Sequence, residues 1–280
     1  MNRCELLLGW WTALLLAASG MASAQAPAGS KPPVKRDPAA MSVSDIMACM
    51  RENTVDRGSL RQIEMTSVDR TGSSTRMRMK LFWKPPRGAE VPRTLLRVVE
   101  PADVSGASVL SISKPEGDEV YLYLPELARV QRVTGDHQGD LFGTDFGYGD
   151  FKQIQALVEN SGTRRLADQK ALERAAFVLD VATTAKASGY TRIKSYVDQA
   201  TCTLLRSEFF VGSSEPRKVL EADPSTLLSI GDGEYWLVLG YIMKDVAEGT
   251  QTRVSLSDVC LLEWLPEELF DPATFYRVDP

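Results

Sequence analysis

Residues 75–83 read TRMRMKLFW, and charged and apolar side chains alternate along most of this stretch. A period of two is typical of a β-strand with one buried face and one face in water. A second alternation begins at Arg61, Ile63 and Met65, and the turn sequence DRTGSS at 69–74 separates the two. The pattern therefore predicts an antiparallel hairpin. Its buried face in the second strand consists of Met77, Met79, Leu81 and Trp83.

Similar short runs recur along the rest of the chain and predict further strands. They cover residues 94–99, 107–113, 119–124, 127–133, 175–183, 190–198, 203–211, 217–222, 235–243 and 252–259. A weak helical stretch is expected near 151–158, and a short helix in the tail sequence LPEELFDPATF at 265–275. About eleven strands with few helices predict a mainly β fold, either a sandwich or a curled antiparallel sheet.

The N-terminal residues have the pattern of a secretory signal peptide. Arg3 precedes an apolar run at 6–18, and the small residues at 22–24 offer a cleavage site near Ala24. We therefore expect a signal peptide at 1–24 and a periplasmic mature chain. The proline-rich residues 25–40 predict a disordered linker. Residues 41–280 are then expected to form a single domain.

A helix is expected directly after this linker. Ser42 or Ser44 can cap it, and the periodicity ends near Val55. Its apolar face contains Ile46, Met47 and Met50, with Cys49 beside them.

Three cysteines remain after the predicted cleavage, which allows at most one disulfide among them. These cysteines are Cys49, Cys202 and Cys260. Cys202 and Cys260 both fall near the ends of predicted strands, which favours a bridge between them. The sequence leaves the pairing open.

The side chains available for catalysis are few. His137 is the only histidine, and the chain has no G-x-S-x-G sequence. The net charge of −5 without a basic run argues against nucleic acid as a partner. The acids of the 136–150 region fit no calcium-loop spacing. We therefore expect no metal, no cofactor and no catalysis. A hydrolase using Asp145 and Asp150 is the alternative.

The sequence LFGTDFGYGD at 141–150 combines glycines, aromatic residues and acids in one loop. Glycines permit unusual backbone angles, and Thr and Asp side chains can bond nearby amides. The aromatic residues would pin the loop to the sheet, so a structural brace is expected. The residues of this motif are Phe142, Gly143, Thr144, Asp145, Phe146, Tyr148 and Asp150.

A curled sheet with an apolar concave face and few covering helices either closes on itself or holds an apolar ligand. Methionine is flexible and suits a wall that contacts acyl chains of varied shape. Plain core packing is the other interpretation of the same stripe. The predicted cavity-lining residues are Ile63, Met65, Met77, Met79, Leu81, Trp83, Leu95, Leu110, Tyr121 and Tyr123.

Three segments carry a resemblance to a known family: RTLLRVVEPADVSGASVL at 93–110, YLYLPELARVQRV at 121–133 and FGTDFGYGDF at 142–151. In this order they resemble the larger outer membrane lipoprotein-sorting relatives of the LolA-type carriers, over residues 42–275. The resemblance implies an incomplete, half-open antiparallel β-barrel of about eleven strands, as in LolA and LolB, with helices as a lid.

The resemblance also implies a function. A monomeric periplasmic carrier would shield the acyl chains of a lipoprotein or a lipid between the inner and outer membranes, without catalysis. Its partner would be an inner-membrane transporter of the RND or ABC type. The alternative of the same fold is an envelope-stress sensor that binds a lipid signal and an inner-membrane regulator. Strands that continue to residue 259 without a clear linker favour one domain and the carrier.

Overall fold

The computed structural model describes residues 37–86, 91–114, 118–133, 140–147, 150, 162–183, 189–231 and 233–278. The predicted signal peptide, residues 25–36 of the predicted linker and the predicted helical stretch at 151–158 lie outside these residues. Among the described residues, no helix has the length and apolarity needed to cross a membrane.

The described residues contain one α-helix, α1 (Val43–Glu52), and fifteen strands. The strands are β1 (Gly58–Val68), β2 (Ser74–Lys84), β3 (Arg93–Glu100), β4 (Ser108–Ile112), β5 (Glu119–Leu124), β6 (Arg129–Val133), β7 (Thr163–Ala171), β8 (Arg174–Ala182), β9 (Arg192–Asp198), β10 (Leu204–Phe210), β11 (Lys218–Ala222), β12 (Leu227–Ile230), β13 (Tyr235–Val238), β14 (Gly240–Asp245) and β15 (Thr250–Leu262). Short 3-10 turns include Pro38–Ala40 and Glu267–Phe270.

Thirteen of these strands form one antiparallel sheet in the order β6-β5-β4-β3-β2-β1-β15-β14-β11-β10-β9-β8-β7. Strands β12 and β13 form a separate hairpin. Within the described residues the two edges, β6 and β7, do not pair with each other, so the sheet is not closed. The predicted fold class, a mainly β and half-open antiparallel barrel, is confirmed.

The strand count differs from the predicted eleven for local reasons. Strand β7 reads TRRLADQKA and is mostly exposed, so it lacks the apolar alternation on which the prediction depended. Charged residues are common on such sheet edges because they oppose aggregation. The predicted strand at 235–243 is divided between β13 and β14, which belong to different sheets.

Helix α1 begins as the sequence predicts. The Ser42 hydroxyl accepts a hydrogen bond from the amide of Asp45, and the Asp45 carboxylate accepts one from the amide of Ser42. This reciprocal capping box satisfies two amides that have no partner within the helix. The buried face of α1 contains Ile46, Met47 and Cys49.

The sheet has a concave and a convex face, and both carry apolar side chains. On the concave face, Ile63 pairs with Met79 and Met65 pairs with Met77 across the β1–β2 hairpin. Helix α1 extends this concave core where it packs over β8 and β9, at Phe177, Leu179, Val181 and Val197. The concave face is therefore filled along much of its length.

The C-terminal segment covers part of the convex face. Phe270 and Phe275 are buried there against β1 to β5. The buried Arg97 guanidinium donates hydrogen bonds to the carbonyls of Phe275 and Val278. Tyr123 stacks on Tyr276, with ring centroids 4.1 Å apart. The tail thus removes from water a sheet face that would otherwise be exposed.

The predicted Cys202–Cys260 bridge is wrong. Cys202 forms a disulfide with Cys49 of α1, and their Cα atoms are 5.8 Å apart. Cys260 lies in the convex cluster, whereas Cys202 belongs to the concave side. The sequence could not show this separation, because it depends on which face each strand end presents.

The final residues of the predicted linker have a defined structure. Pro38–Ala40 forms a 3-10 turn that the Asp37 carboxylate caps by accepting the amide of Ala39. Arg165 of β7 donates a hydrogen bond of 3.0 Å to the carbonyl of Pro38. The segment before α1 is therefore attached to the edge of the sheet.

Candidate functional site

A cavity of about 120 Å³ opens on the concave face, between the sheet and the end of α1. Most of its wall is apolar. Its lining consists of Met50, Asn53, Thr54, Val55, Arg61, Ile63, Leu81, Trp83, Cys202, Thr203, Leu204, Trp236, Leu237, Val238, Tyr241, Val254 and Leu256.

Three predicted residues, Ile63, Leu81 and Trp83, line this cavity. They alternate with outward-facing neighbours along β1 and β2, so they reach the same face. The indole Nε1 of Trp83 donates a hydrogen bond of 3.0 Å to the carbonyl of Val55, which follows α1. The wall is thereby connected to the segment that closes the cavity.

Two elements cover the cavity, and we call them together the lid: residues 50–57, from the end of α1, and the β12–β13 hairpin. Asn53 joins them, because its side-chain oxygen accepts the amide of Trp236 at 3.0 Å. The Asn53 side-chain nitrogen donates to the carbonyl of Thr201, which precedes β10. A single side chain thus links both parts of the lid to the rim of the sheet.

Two further polar contacts hold the hairpin to residues 50–57. The Tyr235 hydroxyl donates a hydrogen bond to the carboxylate of Asp56. Arg57 forms an ion pair with Glu234. Because water can replace an exposed ion pair at small cost, the contact between Arg57 and Glu234 is suited to breaking and reforming.

The disulfide fixes the α1 side of the lid. Cys49 and Cys202 are 153 positions apart in the chain, and Cys202 also lines the cavity. The hairpin side has no such covalent link among the described residues. We conclude that the two halves of the lid differ in how firmly they are attached.

Arg61 was not among the predicted site residues, yet it lies in the cavity wall. It is two positions before Ile63 on the same face of β1, opposite Leu81 of β2. The pairing of β1 with β15 shifts register at this position. The available signal was a charged residue in the apolar register of an alternating strand.

The predicted methionine stripe lies deeper on the concave face. Met65, Met77 and Met79 are buried in the core together with Phe146 of the glycine-rich loop. They belong to the same face as the cavity wall but do not line the cavity. Of the two interpretations of this stripe, core packing describes the position of these three methionines.

Four predicted lining residues point the wrong way. Leu95, Leu110, Tyr121 and Tyr123 lie on the convex face, in the cluster that the C-terminal segment covers. Because both faces of β3 to β5 carry apolar residues, alternation could not tell which side faces the cavity. The placement predicted for these four residues is therefore wrong.

The glycine-rich loop packs against the far end of the concave face. Phe146 and Leu141 are fully buried in the concave core, and Phe142 packs against it. The Thr144 hydroxyl donates to the carbonyl of Leu141 at 2.8 Å. Gly143 and Phe142 both have positive φ, which costs least at glycine. Tyr148 lies outside the described residues.

The two acids of this loop make contacts inside the protein. Asp145 accepts hydrogen bonds from the hydroxyls of Thr250 and Thr252. Asp150 accepts the Gly147 amide at 2.7 Å and the Tyr190 hydroxyl at 2.9 Å. Burial raises the pKa of the Asp150 carboxyl, although the nearby Lys218 ammonium opposes this.

Through these hydrogen bonds, the carboxylates of Asp145 and Asp150 connect the loop to the rest of the protein. Neither acid lines the lidded cavity. Among the described residues, no group of three or more His, Cys, Asp or Glu side chains is arranged to hold a metal ion.

Residues 90–277 match a family model described as "-like: Uncharacterized protein". The fold is similar to that of an outer membrane lipoprotein-sorting protein domain from Vibrio parahaemolyticus. That match has 26% sequence identity and a TM-score of 0.73, over 82% of this chain and 96% of that chain. This chain belongs to a LolA-like family.

Two further structures share the fold of this LolA-like chain. A DUF1329 family protein from Desulfovibrio piger is 21% identical, with a TM-score of 0.71 over 81% of this chain and 95% of that one. A LolA superfamily protein from Nitrosomonas europaea is 16% identical, with a TM-score of 0.63 over 83% and 98% of the two chains. No curated protein gives a significant match to the LolA-like chain.

Proposed function

We propose that this LolA-like protein is a periplasmic carrier. It would shield the acyl chains of a lipoprotein or a lipid during transfer between the inner and outer membranes. The observation that carries the proposal is the apolar cavity on the concave face, closed by a lid that polar contacts hold in place. The similar domain from Vibrio parahaemolyticus, described as a lipoprotein-sorting protein, supports the same role.

The size of the cavity implies that the lid moves. A volume of about 120 Å³ is below the roughly 300–1,000 Å³ typical of pockets for drug-sized ligands. A complete acyl chain would therefore displace the β12–β13 hairpin, which polar contacts rather than a disulfide attach to residues 50–57 within the described residues. The disulfide would keep residues 50–57 near the rim while the hairpin opens.

The proposed location has support from the cysteines. Disulfides persist in oxidising compartments such as the bacterial periplasm, and Cys49 is bonded to Cys202. The predicted signal peptide agrees with export. Acceptance of cargo from an inner-membrane transporter of the RND or ABC type is part of the proposal.

The test is native mass spectrometry of the exported protein, purified from a Gram-negative periplasm without detergent, followed by organic extraction. We expect a stoichiometric phospholipid or other acyl component. Protein that is free of ligand, and that takes up no acyl lipid from added vesicles, would contradict the carrier role.

A pair of variants locates the uptake. Leu256→Trp fills part of the cavity, because Leu256 is a partly buried lining residue, and should reduce bound lipid several-fold. Leu228→Trp adds the same side chain at an exposed position of β12 that does not line the cavity. Equal loading of the two variants would place the ligand elsewhere.

A further inference from the structure

The wall of the cavity contains a cation, Arg61, that has no counter-charge among the described residues. Within the described residues Arg61 forms no ion pair, and its Nε atom is buried without a hydrogen-bond partner. None of the lining residues is acidic. A guanidinium partly removed from water without a counter-charge raises the free energy of the folded state.

Two apolar residues are the neighbours of Arg61 on this face of the sheet. Ile63 follows it on the same face of β1, and Leu81 lies directly across in β2. These surroundings lower the pKa of Arg61 to about 10 through loss of hydration. The side chain remains protonated at neutral pH, so its positive charge persists in the ligand-free cavity.

We propose that Arg61 binds the anionic group of an acyl ligand, a carboxylate or a phosphate, whose hydrocarbon chain lies in the apolar cavity beneath the lid. This inference rests on the proposed carrier function and names the class of its cargo. The planar guanidinium presents paired N–H donors that match both anions, and it retains its charge. In apolar surroundings such a pair is also stronger than in water.

Tyr241 supplies a second donor at the same place. It lines the cavity from β14 and lies close enough to Arg61 to interact with it electrostatically. Burial raises the pKa of the Tyr241 hydroxyl, which therefore stays neutral and keeps its proton. A neutral hydroxyl beside a cation can donate to an anion and does not compete with it for Arg61.

The experiment compares three probes with the same oleoyl chain: oleate, methyl oleate and oleoyl lysophosphatidate. Each is titrated by calorimetry into the full-length exported protein after removal of bound lipid. We expect at least one anionic probe to bind about tenfold or more tightly than methyl oleate. A preference for oleate identifies a carboxylate ligand, and a preference for lysophosphatidate identifies a phosphate.

Two arginine variants separate the role of Arg61 from a general effect of charge. Arg61→Met keeps an apolar stem and removes the cation, so its preference for anions should fall to less than about twofold. Arg253→Met removes an exposed arginine from β15 beside the wall residue Val254. This control should keep the wild-type preference.

The outcomes distinguish the inference from the carrier function. If methyl oleate binds the wild-type protein as tightly as the anions, or if Arg61→Met keeps the preference, the role of Arg61 is wrong while the carrier function stands. If none of the probes binds and the native protein contains no lipid, both are wrong. Weaker binding of all three probes to Leu256→Trp, with the preference intact, supports the site beneath the lid.

Discussion

Cys49 at the end of α1 is joined to Cys202 before β10, across 153 positions of the chain. The bridge attaches the only described α-helix to the rim of the cavity in the half of the sheet formed by β8 to β10. A cross-link over so long a segment restricts the unfolded chain strongly.

Loss of this bridge should lower the free energy of unfolding by about 2–5 kcal/mol. Urea unfolding of Cys49→Ser, Cys202→Ser and the double variant is the measurement. Either single change breaks the same bond, so the three losses should be similar. A double variant that loses the sum of the single losses would show that the bond is not their shared cause.

Asn53→Ala should loosen the hairpin side of the lid. The change removes the acceptor of the Trp236 amide and the donor to Thr201, at a cost of about 1–3 kcal/mol for partly buried groups. Hydrogen exchange at the Trp236 amide should become faster. Arg57→Gln removes the exposed ion pairs of Arg57 with Glu234 and Asp56 and should cost less than about 1 kcal/mol. If the two variants lost the same stability and showed the same exchange rate at the Trp236 amide, Asn53 would not be the main link between the hairpin and residues 50–57.

Asp150 should make the stability of the protein depend on pH in an unusual direction. Burial raises the pKa of its carboxyl, so the folded state holds the proton more firmly than the unfolded chain does. Its contribution to stability therefore falls as the pH rises from the unfolded pKa of about 3.9 through the folded pKa. The free energy of unfolding of the wild-type protein, measured relative to that of Asp150→Asn, should therefore be lower at pH 7 than at pH 4.

Asp69 should make the stability depend on pH in the opposite direction to Asp150. Hydrogen bonds from the Thr71 hydroxyl and neighbouring amides lower the pKa of the Asp69 carboxyl. Its contribution is present above the unfolded pKa and is lost as the pH falls through the folded value. Thermal unfolding measured from below pH 4 up to pH 7 should therefore give effects of opposite sign: Asp150→Asn should change the pH dependence mainly above about pH 4, and Asp69→Asn mainly below it. Equal slopes would contradict the assignment of Asp150.

Arg61→Met should stabilise the ligand-free protein. The variant removes a cation that lacks a partner among the described residues, and its side chain still packs on the wall. We expect a gain of about 1 kcal/mol, or about 2–4 °C in the melting temperature. Arg253→Met should change the melting temperature by less. A clear loss of stability in Arg61→Met would mean that the arginine supports the fold.

Local patterns in the sequence were sufficient for several elements of the fold. The alternation at 75–83 identified the β1–β2 hairpin, and Ser42 or Ser44 marked the start of α1, where the structure has Ser42 as the cap. Strand β7 lacks apolar alternation and is held in place as the polar edge of the sheet. Its existence depends on backbone pairing with β8, which residue type alone does not encode.

The candidate site was predictable in part. Ile63, Leu81 and Trp83 share one strand face, and the period of two is enough to group them. Arg61 belongs to the same alternation, but the cost of its burial appears only when the opposite walls are known. Trp236 reaches the cavity from a hairpin outside the main sheet, and no periodicity connects it to Ile63.

The sequence by itself determined the mainly antiparallel β character, the capped helix and the apolar face of the first hairpin, because each depends on neighbours a few residues apart. Only the tertiary structure decided that Leu95 and Tyr123 lie beneath the C-terminal segment and that Cys202 bonds to Cys49. These depend on how the sheet curls and what covers each face. The physical reason is that burial of either face stabilises an apolar strand equally, until a distant segment occupies one of them.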